Sequence, residues 1–178
     1  AAAAAWQLGT RIDIIGSPVP DFLLFILWVL IIINGINLLD NSDGLAASTS
    51  FLASLGFGVV AVLSGQELVS LLAVSLAGVS LGFLIHNWAP ARVYLGDSGA
   101  YFLGFSMAVL AVRVRPVELA SAWAALIPVL ILILPIVDTT YVVVRRVASG
   151  THPFTAGRDH LSHSLQRRGL STAHSVLA

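Results

Sequence analysis

Twelve consecutive apolar residues, Phe22 to Ile33, run without interruption into Asn34, Asn37, Asp40, Asn41 and Asp43. The first stretch suits hydrocarbon. An aspartate at the centre of a membrane helix costs roughly 2.5–3.5 kcal/mol on insertion scales, so the second stretch has to sit where the apolar helix meets a polar phase. Only 10% of the 178 residues are charged and 57% are hydrophobic, with a mean hydropathy of +0.92. An ordinary soluble domain carries about 25% charged residues. The composition therefore implies an all-α, polytopic transmembrane helix bundle.

Apolar runs of span length place helices near residues 21–39, 45–64, 67–87, 98–113 and 119–144. Residues 1–16 would be the tail of a sixth span, interrupted by Arg11 and Asp13. The expected division is a transmembrane region over 1–147 and a polar, basic loop over 148–178. The chain opens on Ala1 to Ala5 and its one methionine is Met107, which suggests a piece of a longer polypeptide. No basic stretch precedes the alanines, so a signal peptide is a poor reading of the start. Cysteine is absent, which excludes disulfides and thiolate metal sites. Nine arginines balance nine acids and there is no lysine, so no global basic field points to nucleic acid as a partner.

Arginine placement suggests an orientation. Alternating the spans puts Arg92, Arg145, Arg146, Arg158, Arg167 and Arg168 on one side and Arg11, Arg113 and Arg115 on the other. The positive-inside rule makes the first side cytoplasmic. The loops at 40–44, 88–97 and 145–178 share that side, so their polar groups can converge on one cytoplasmic site.

Three motifs carry chemistry. In NGINLLDNSDGLA, helical spacing would set Asn34, Asn37, Asp40 and Asp43 as a polar ladder on one side. Two carboxylates and two amides are hard oxygen donors suited to Mg²⁺, which binds through carboxylates and substrate phosphates; the alternative is ordinary helix capping. In HNWAPARVYLGDSGAYFLGF, Gly96-Asp97-Ser98-Gly99 opens an apolar helix whose free amides can face an anion. Asp97 would be a metal ligand or merely an N-cap, and His86 reads as interfacial beside Trp88. In RRVASGTHPFTAGRDHLSHSLQRRGLS, Asp159 would cap a short helix ending at Gly169, with His160, His163 and Arg167 on one face. A basic face beside a membrane can bind a diphosphate, or lie on anionic lipid. Zinc is disfavoured for want of a third strong ligand. Asp138 is an acid inside the last span and, by default, a functional candidate; the alternative is a buried carboxylate bonded to neighbouring helices.

These motifs resemble those of the polyprenyl-phosphate N-acetylhexosamine-1-phosphate transferases, glycosyl transferase family 4. NGINLLDNSDGLA looks like NxxNxxDGxDGLA, and NWAPARVYLGDSGAYFLGF is similar to NxxPAxxFxGDxGSxxLGF. LPIVDTTYVVVRRVASGTHPFTAGRDHLSHSLQRRGLS resembles PxxDxxxxxxxRxxxGxSPFxxDxxHLHHRLxxxG. The resemblance implies transfer of a sugar-1-phosphate from a UDP-sugar to polyprenyl phosphate at the cytoplasmic membrane face, with Mg²⁺ and release of UMP. It would put Asn37 and Asp97 at the metal, Asp40 and Asp43 at the diphosphate and nucleotide with a catalytic role shared with Asp97, Asn87 on substrate, and His160, His163 and Arg167 on the sugar or diphosphate. RDHLSH resembles the RDHLHH of the GlcNAc branch more than the triple histidine of the muramoyl-pentapeptide branch. A homodimer is one assembly the resemblance leaves open.

The chain departs from the pattern in places. Asn41 and Ser42 replace a glycine and a small apolar residue, and Ser162 stands for a middle histidine. The family's upstream DDxxD has no counterpart here, and both ends look truncated. The alternatives are a non-catalytic membrane remnant that binds lipid and a small transporter using Asp138. A transporter should show an inverted hydropathy repeat, and none is evident.

Overall fold

The computed structural model describes residues 1–116, 121–152 and 160–177. Among them there is no strand. Nine helices follow in order: α1 Ala2–Gln7, α2 Pro18–Leu39, α3 Leu45–Leu63, α4 Glu67–Asn87, α5 Gly96–Arg113, α6 Ser121–Ile131, α7 Ile133–Ala148, α8 Leu161–Arg167 and α9 Thr172–Leu177. Of the described helices, α2, α3 and α4 are long and apolar enough to cross a membrane. The all-α expectation holds, and four of the five expected spans coincide with single helices.

The fifth does not. Residues 121–148 form two helices that meet at Leu132, whose backbone sits at φ −99° and ψ 23°. Pro135 has no N–H to offer the carbonyl of Ile131 four residues earlier, and its ring crowds that carbonyl. Pro128 lies inside α6. The ladder resumes with Leu132 N–H donating to the Pro128 carbonyl and Ile136 N–H to that of Leu132, at 3.1 and 3.3 Å.

α2 is the element around which the bundle is built. Proline at its first position needs no hydrogen-bond partner. The chain entering it is held by Asp21, whose buried carboxylate accepts the backbone N–H groups of Ile14, Ile15, Gly16 and Ser17 at 2.9–3.2 Å. Although α2 is apolar all round, only one stripe is buried: Phe25, Val29, Ile32, Ile36 and Leu39. These recur at alternating steps of four and three, the spacing of a single helix face. Leu23, Leu27 and Leu30, on other faces, stay exposed.

Two glycines let neighbouring helices press against that stripe. A Cβ on Gly104 of α5 would fall 2.7 Å from the Ile33 Cα, and one on Gly35 would fall 3.0 Å from Pro135 Cβ on α7. Small residues permit such approach where no water is present to drive association. Trp28 adds a directed contact, its indole N–H donating to the Ala108 carbonyl at 3.1 Å. On α3 and α4, Ala53, Phe57, Ala61 and Ala73 join the same buried core. Gln66, in the turn between α3 and α4, fastens that hairpin to the end of α5. Its amide donates to the Arg113 carbonyl at 3.1 Å and accepts from Arg115 N–H at 2.9 Å.

The α2–α5 contact leads to a direct expectation. Gly104→Leu forces a side chain into the α2 backbone and should destabilise the bundle by about 1–3 kcal/mol, the usual cost of overpacking. Denaturant unfolding in detergent micelles, compared with Gly78→Leu where a Cβ meets nothing within 4 Å, measures the difference. Equal effects at the two positions would show that the close approach is not limiting.

Candidate functional site

Because α2 and α5 pack antiparallel at Gly104, the C-terminal end of α2 lies beside the N-terminal end of α5. Asn37 Nδ2 there donates to Asp97 Oδ1 at 3.2 Å, joining residues from two of the three motifs. Asp97 is not the N-cap: Leu95 holds that position without a side-chain cap bond, and Asp97 lies within the first turn of α5.

The polar ladder stops earlier than its spacing suggested. α2 ends at Leu39 with Asp40 as its C-cap, and Asn34 turns back to donate to the Leu30 carbonyl at 2.7 Å. Residues 40–44 form a turn that closes through Gly44, whose φ of +78° lies in the left-handed region. Glycine tolerates that conformation without steric cost. The turn carries Asp43 off the helix and toward the loop between α4 and α5, where its Oδ2 accepts the Ala91 N–H at 3.0 Å.

Asn87, at the end of α4, binds the two loops together. Its side-chain oxygen accepts Gly44 N–H at 3.0 Å and its amide donates to the Val93 carbonyl at 2.8 Å. With 3% of its surface exposed, Asn87 is a bracket between the acidic turn and the 88–95 loop. His86 is exposed.

The tail reaches the same turn. Ser162 Oγ donates to Asn41 Oδ1 at 2.8 Å, and Gln166 Nε2 donates to Ser42 Oγ at 3.3 Å. Asn41 also donates to the Leu38 carbonyl. The beginning of α8 is held from inside the bundle. Asp138 Oδ2 pairs with His160 Nδ1 at 2.8 Å, and its other oxygen accepts the Leu161 N–H at 2.9 Å. His160 and Asp138 are both buried. His160 itself is the N-cap of α8, without a side-chain cap bond, so the capping acceptor comes from α7. Asp159, expected to cap this helix, lies outside the described residues, as do Arg158 and the side chain of His163. Arg167 lies exposed near the end of α8.

Sequence reasoning singled out Asn37, Asp40, Asp43, Asn87, Asp97, His160 and Asp138, and the structure brings the first five together around one turn. It did not foresee the Asp138–His160 pair or the anchoring roles of Asn41, Ser42, Ser162 and Gln166. A cavity of about 470 Å³ lies far from these groups, lined among others by Arg11, Trp28, Ala111, Arg115 and Pro128. Among the described residues no group of three or more His, Asp or Glu is arranged to hold a metal ion.

Concentrating carboxylates has an electrostatic consequence. The carboxyl of Asp40 is pushed up to about 6 from an ordinary 3.8, first by burial and then by repulsion from Asp97 and Asp43; a hydrogen bond from the Gly96 N–H works the other way. Desolvation and like charge both disfavour the ionised form, so this turn favours whatever supplies positive charge.

Residues 4–115 match the sequence profile of Glycosyl transferase family 4. The chain is 36% identical over 154 residues to a probable undecaprenyl-phosphate N-acetylglucosaminyl 1-phosphate transferase of Bacillus subtilis, covering 86% of this chain and 43% of that protein. It is 30% identical over 182 residues to a decaprenyl-phosphate N-acetylglucosaminephosphotransferase of Mycolicibacterium smegmatis, covering 92% and 45%. Over 82 residues it is 43% identical to a phospho-N-acetylmuramoyl-pentapeptide-transferase of Moorella thermoacetica, covering 46% and 26%. The chain thus spans less than half the length of these relatives.

The raised Asp40 carboxyl predicts a titration. Between pH 3.8 and about 6 the folded chain holds a proton on Asp40 that the unfolded chain releases, so its contribution to stability declines as pH rises through that window. Carbon-13 NMR of labelled aspartate should show the Asp40 carboxyl titrating near 6. Asp97→Asn should move that midpoint down; an unmoved midpoint would rule out repulsion by Asp97 as a cause.

Proposed function

The chain belongs to glycosyl transferase family 4, and on that premise we propose that it forms part of an enzyme transferring a sugar-1-phosphate, GlcNAc-1-phosphate in particular, from a UDP-sugar to polyprenyl phosphate. The proposed acceptor and sugar are those named for the Bacillus and Mycolicibacterium relatives. The observation that carries the reading is the meeting of Asn37 with Asp97, 60 residues apart, at helix ends beside Asp40 and Asp43.

In the proposed reaction a phosphate oxygen of the lipid attacks the sugar-bearing phosphorus of the UDP-sugar. A P–O bond forms to the lipid phosphate, the bond to the UMP oxygen breaks, and UMP leaves with the electron pair. Attacker and target are both anionic, so positioning and charge stabilisation decide the rate.

Asn37 and Asp97 would hold Mg²⁺, with Asp40 and Asp43 beside them. The donor set fits: Mg²⁺ is commonly bound through one or two carboxylates together with substrate phosphates and waters, rather than in an all-protein cage. When bound, the ion would offset the charge of the diphosphate and polarise the phosphorus under attack. Asp40, Asp43 and Asp97 would be the catalytic carboxylates. Asn87 would support the substrate side of the site by holding the 88–95 loop against the acidic turn. Arg167 would supply positive charge, and His160 and His163 hydrogen-bond donors, toward the sugar diphosphate from the tail.

The site would face the cytoplasm of a multi-pass membrane protein. The arginine asymmetry supports that orientation, and the Asn41–Ser162 bond joins the acidic turn to the tail on a single face.

Two measurements check this reading. In the intact polypeptide carrying these residues, Asp97→Ala should reduce Mg²⁺-dependent UMP release from UDP-GlcNAc and undecaprenyl phosphate by at least about a hundredfold, the scale on which catalytic groups acting together fail. Membrane insertion should be unchanged; near-normal turnover would return Asp97 to a structural role. Residues 1–178 contain no cysteine, so in this chain single cysteines at Ala91 and Ser149 report topology cleanly. Both should react with a membrane-impermeant maleimide only from the cytoplasmic side, and external labelling of either would overturn the orientation.

A further inference from the structure

Two departures from the resembled motifs, far apart in the chain, meet each other in space. Asn41 and Ser42 stand where the acidic motif has a glycine and a small apolar residue, and Ser162 stands where the tail motif has a histidine. Ser162 donates to Asn41 at 2.8 Å across 121 residues of sequence, and Gln166, one turn further along α8, donates to Ser42 at 3.3 Å. Residues four apart on a helix share a face, so this face of α8 is committed to the acidic turn.

Glycine at 41 and an apolar side chain at 42 would provide neither acceptor. A histidine at 162 would need more room than Ser162, 4% exposed, leaves it. The substitutions therefore make physical sense as a set and not singly. Asp138 supplies a third anchor by holding His160 and the Leu161 N–H. Gln166 extends the contact by donating to Ser175 of α9 as well, at 3.3 Å. A seven-residue helix has little stability of its own, and its position is set by such contacts.

We propose that Ser162 and Gln166 are positioning residues that latch α8 onto the acidic turn through Asn41 and Ser42, and so set where His160 and Arg167 meet the sugar nucleotide. The latch stands on the geometry alone; its effect on the sugar nucleotide rests on the transferase reading above. Asn41 and Ser162 act only through the placement of α8, so their loss should raise the KM for the sugar nucleotide more than it lowers kcat.

The test is a double-mutant cycle in the intact polypeptide reconstituted in lipid nanodiscs, with Asn41→Gly, Ser162→Ala and the pair. Hydrogen–deuterium exchange of the 161–167 amides reads docking without reference to activity. Each single substitution should speed exchange about fivefold, the scale of one net hydrogen bond. The double should be no faster than the faster single, because both remove one interaction. Steady-state UMP release with UDP-GlcNAc and undecaprenyl phosphate should show kcat/KM lowered about fivefold in each single, mainly through KM, with the same non-additivity.

Additive or unchanged exchange would overturn the latch. Coupled exchange with unaltered kinetics would overturn the positioning role. Coupled exchange in a protein whose unsubstituted form releases no UMP would refute the transferase reading while upholding the latch. The Ser42→Ala, Gln166→Ala cycle repeats the measurement at the second contact, so misfolding of one variant does not decide the outcome.

Discussion

The approach of α5 to α2 at Gly104 sets the position of every polar group that follows. With no side chain between them, the α5 backbone and the Ile33 Cα come close enough that a methyl group there would clash. The Asn37–Asp97 bond is made at the adjoining ends of the same two helices. Hydrocarbon offers no hydrophobic drive for helices to associate, so such close packing and a few directed bonds carry the association. The same surface that makes α2 a stable span thus determines which loops meet.

Those loops then hold one another with hydrogen bonds made within the chain. Asn87 uses both ends of its amide, and Asp43 takes the Ala91 N–H. Buried polar groups left without partners are costly in a low-dielectric setting, so the buried Asn87 keeps the turn and the 88–95 loop in fixed relation, and the half-buried Asp43 adds a second bond between them. Asp40 differs. Its raised carboxyl records a carboxylate whose charge is not fully compensated, and perturbed groups of this kind gather where chemistry is done, although structural charge clusters perturb them too. Rigid neighbours around an electrostatically unsatisfied acid are what the proposed cation and diphosphate would require.

Much of this was legible in the sequence, for reasons that also explain what was not. The helices α2 to α5 were readable because hydrophobic length is a local property, and the acidic and GDSG motifs because their spacing is short. The division of the last span at Leu132 had a visible cause in Pro128 and Pro135, but proline within an apolar run gives either a kink or a break, and neighbouring packing decides between them. The ladder reading failed at Asp43 because helical spacing was carried past the residue where the helix ends; Gly44 was the signal that the chain turns. Asn87 was singled out, but nothing local shows that both of its polar atoms are taken up by the chain itself. The contacts of α8 were beyond reach. Asn41 and Ser162 appeared only as separate oddities, and a bond across 121 residues leaves no trace in periodicity.

Asp138 shows how a buried acid can be accommodated by donors from the same chain. A lone buried carboxylate is expensive, but this one has His160 on one oxygen and a backbone N–H on the other. The donors arrive from the tail, so burying the acid and docking the tail are one event. α8 could not leave without stripping a buried carboxylate of its donors and its own first amide of its acceptor. The helix is therefore held at its start by the energetic demand of a buried acid and along its length by Asn41 and Ser42. A short segment with little helix stability of its own acquires a defined place through that division of labour, and the tail's basic residues acquire it too.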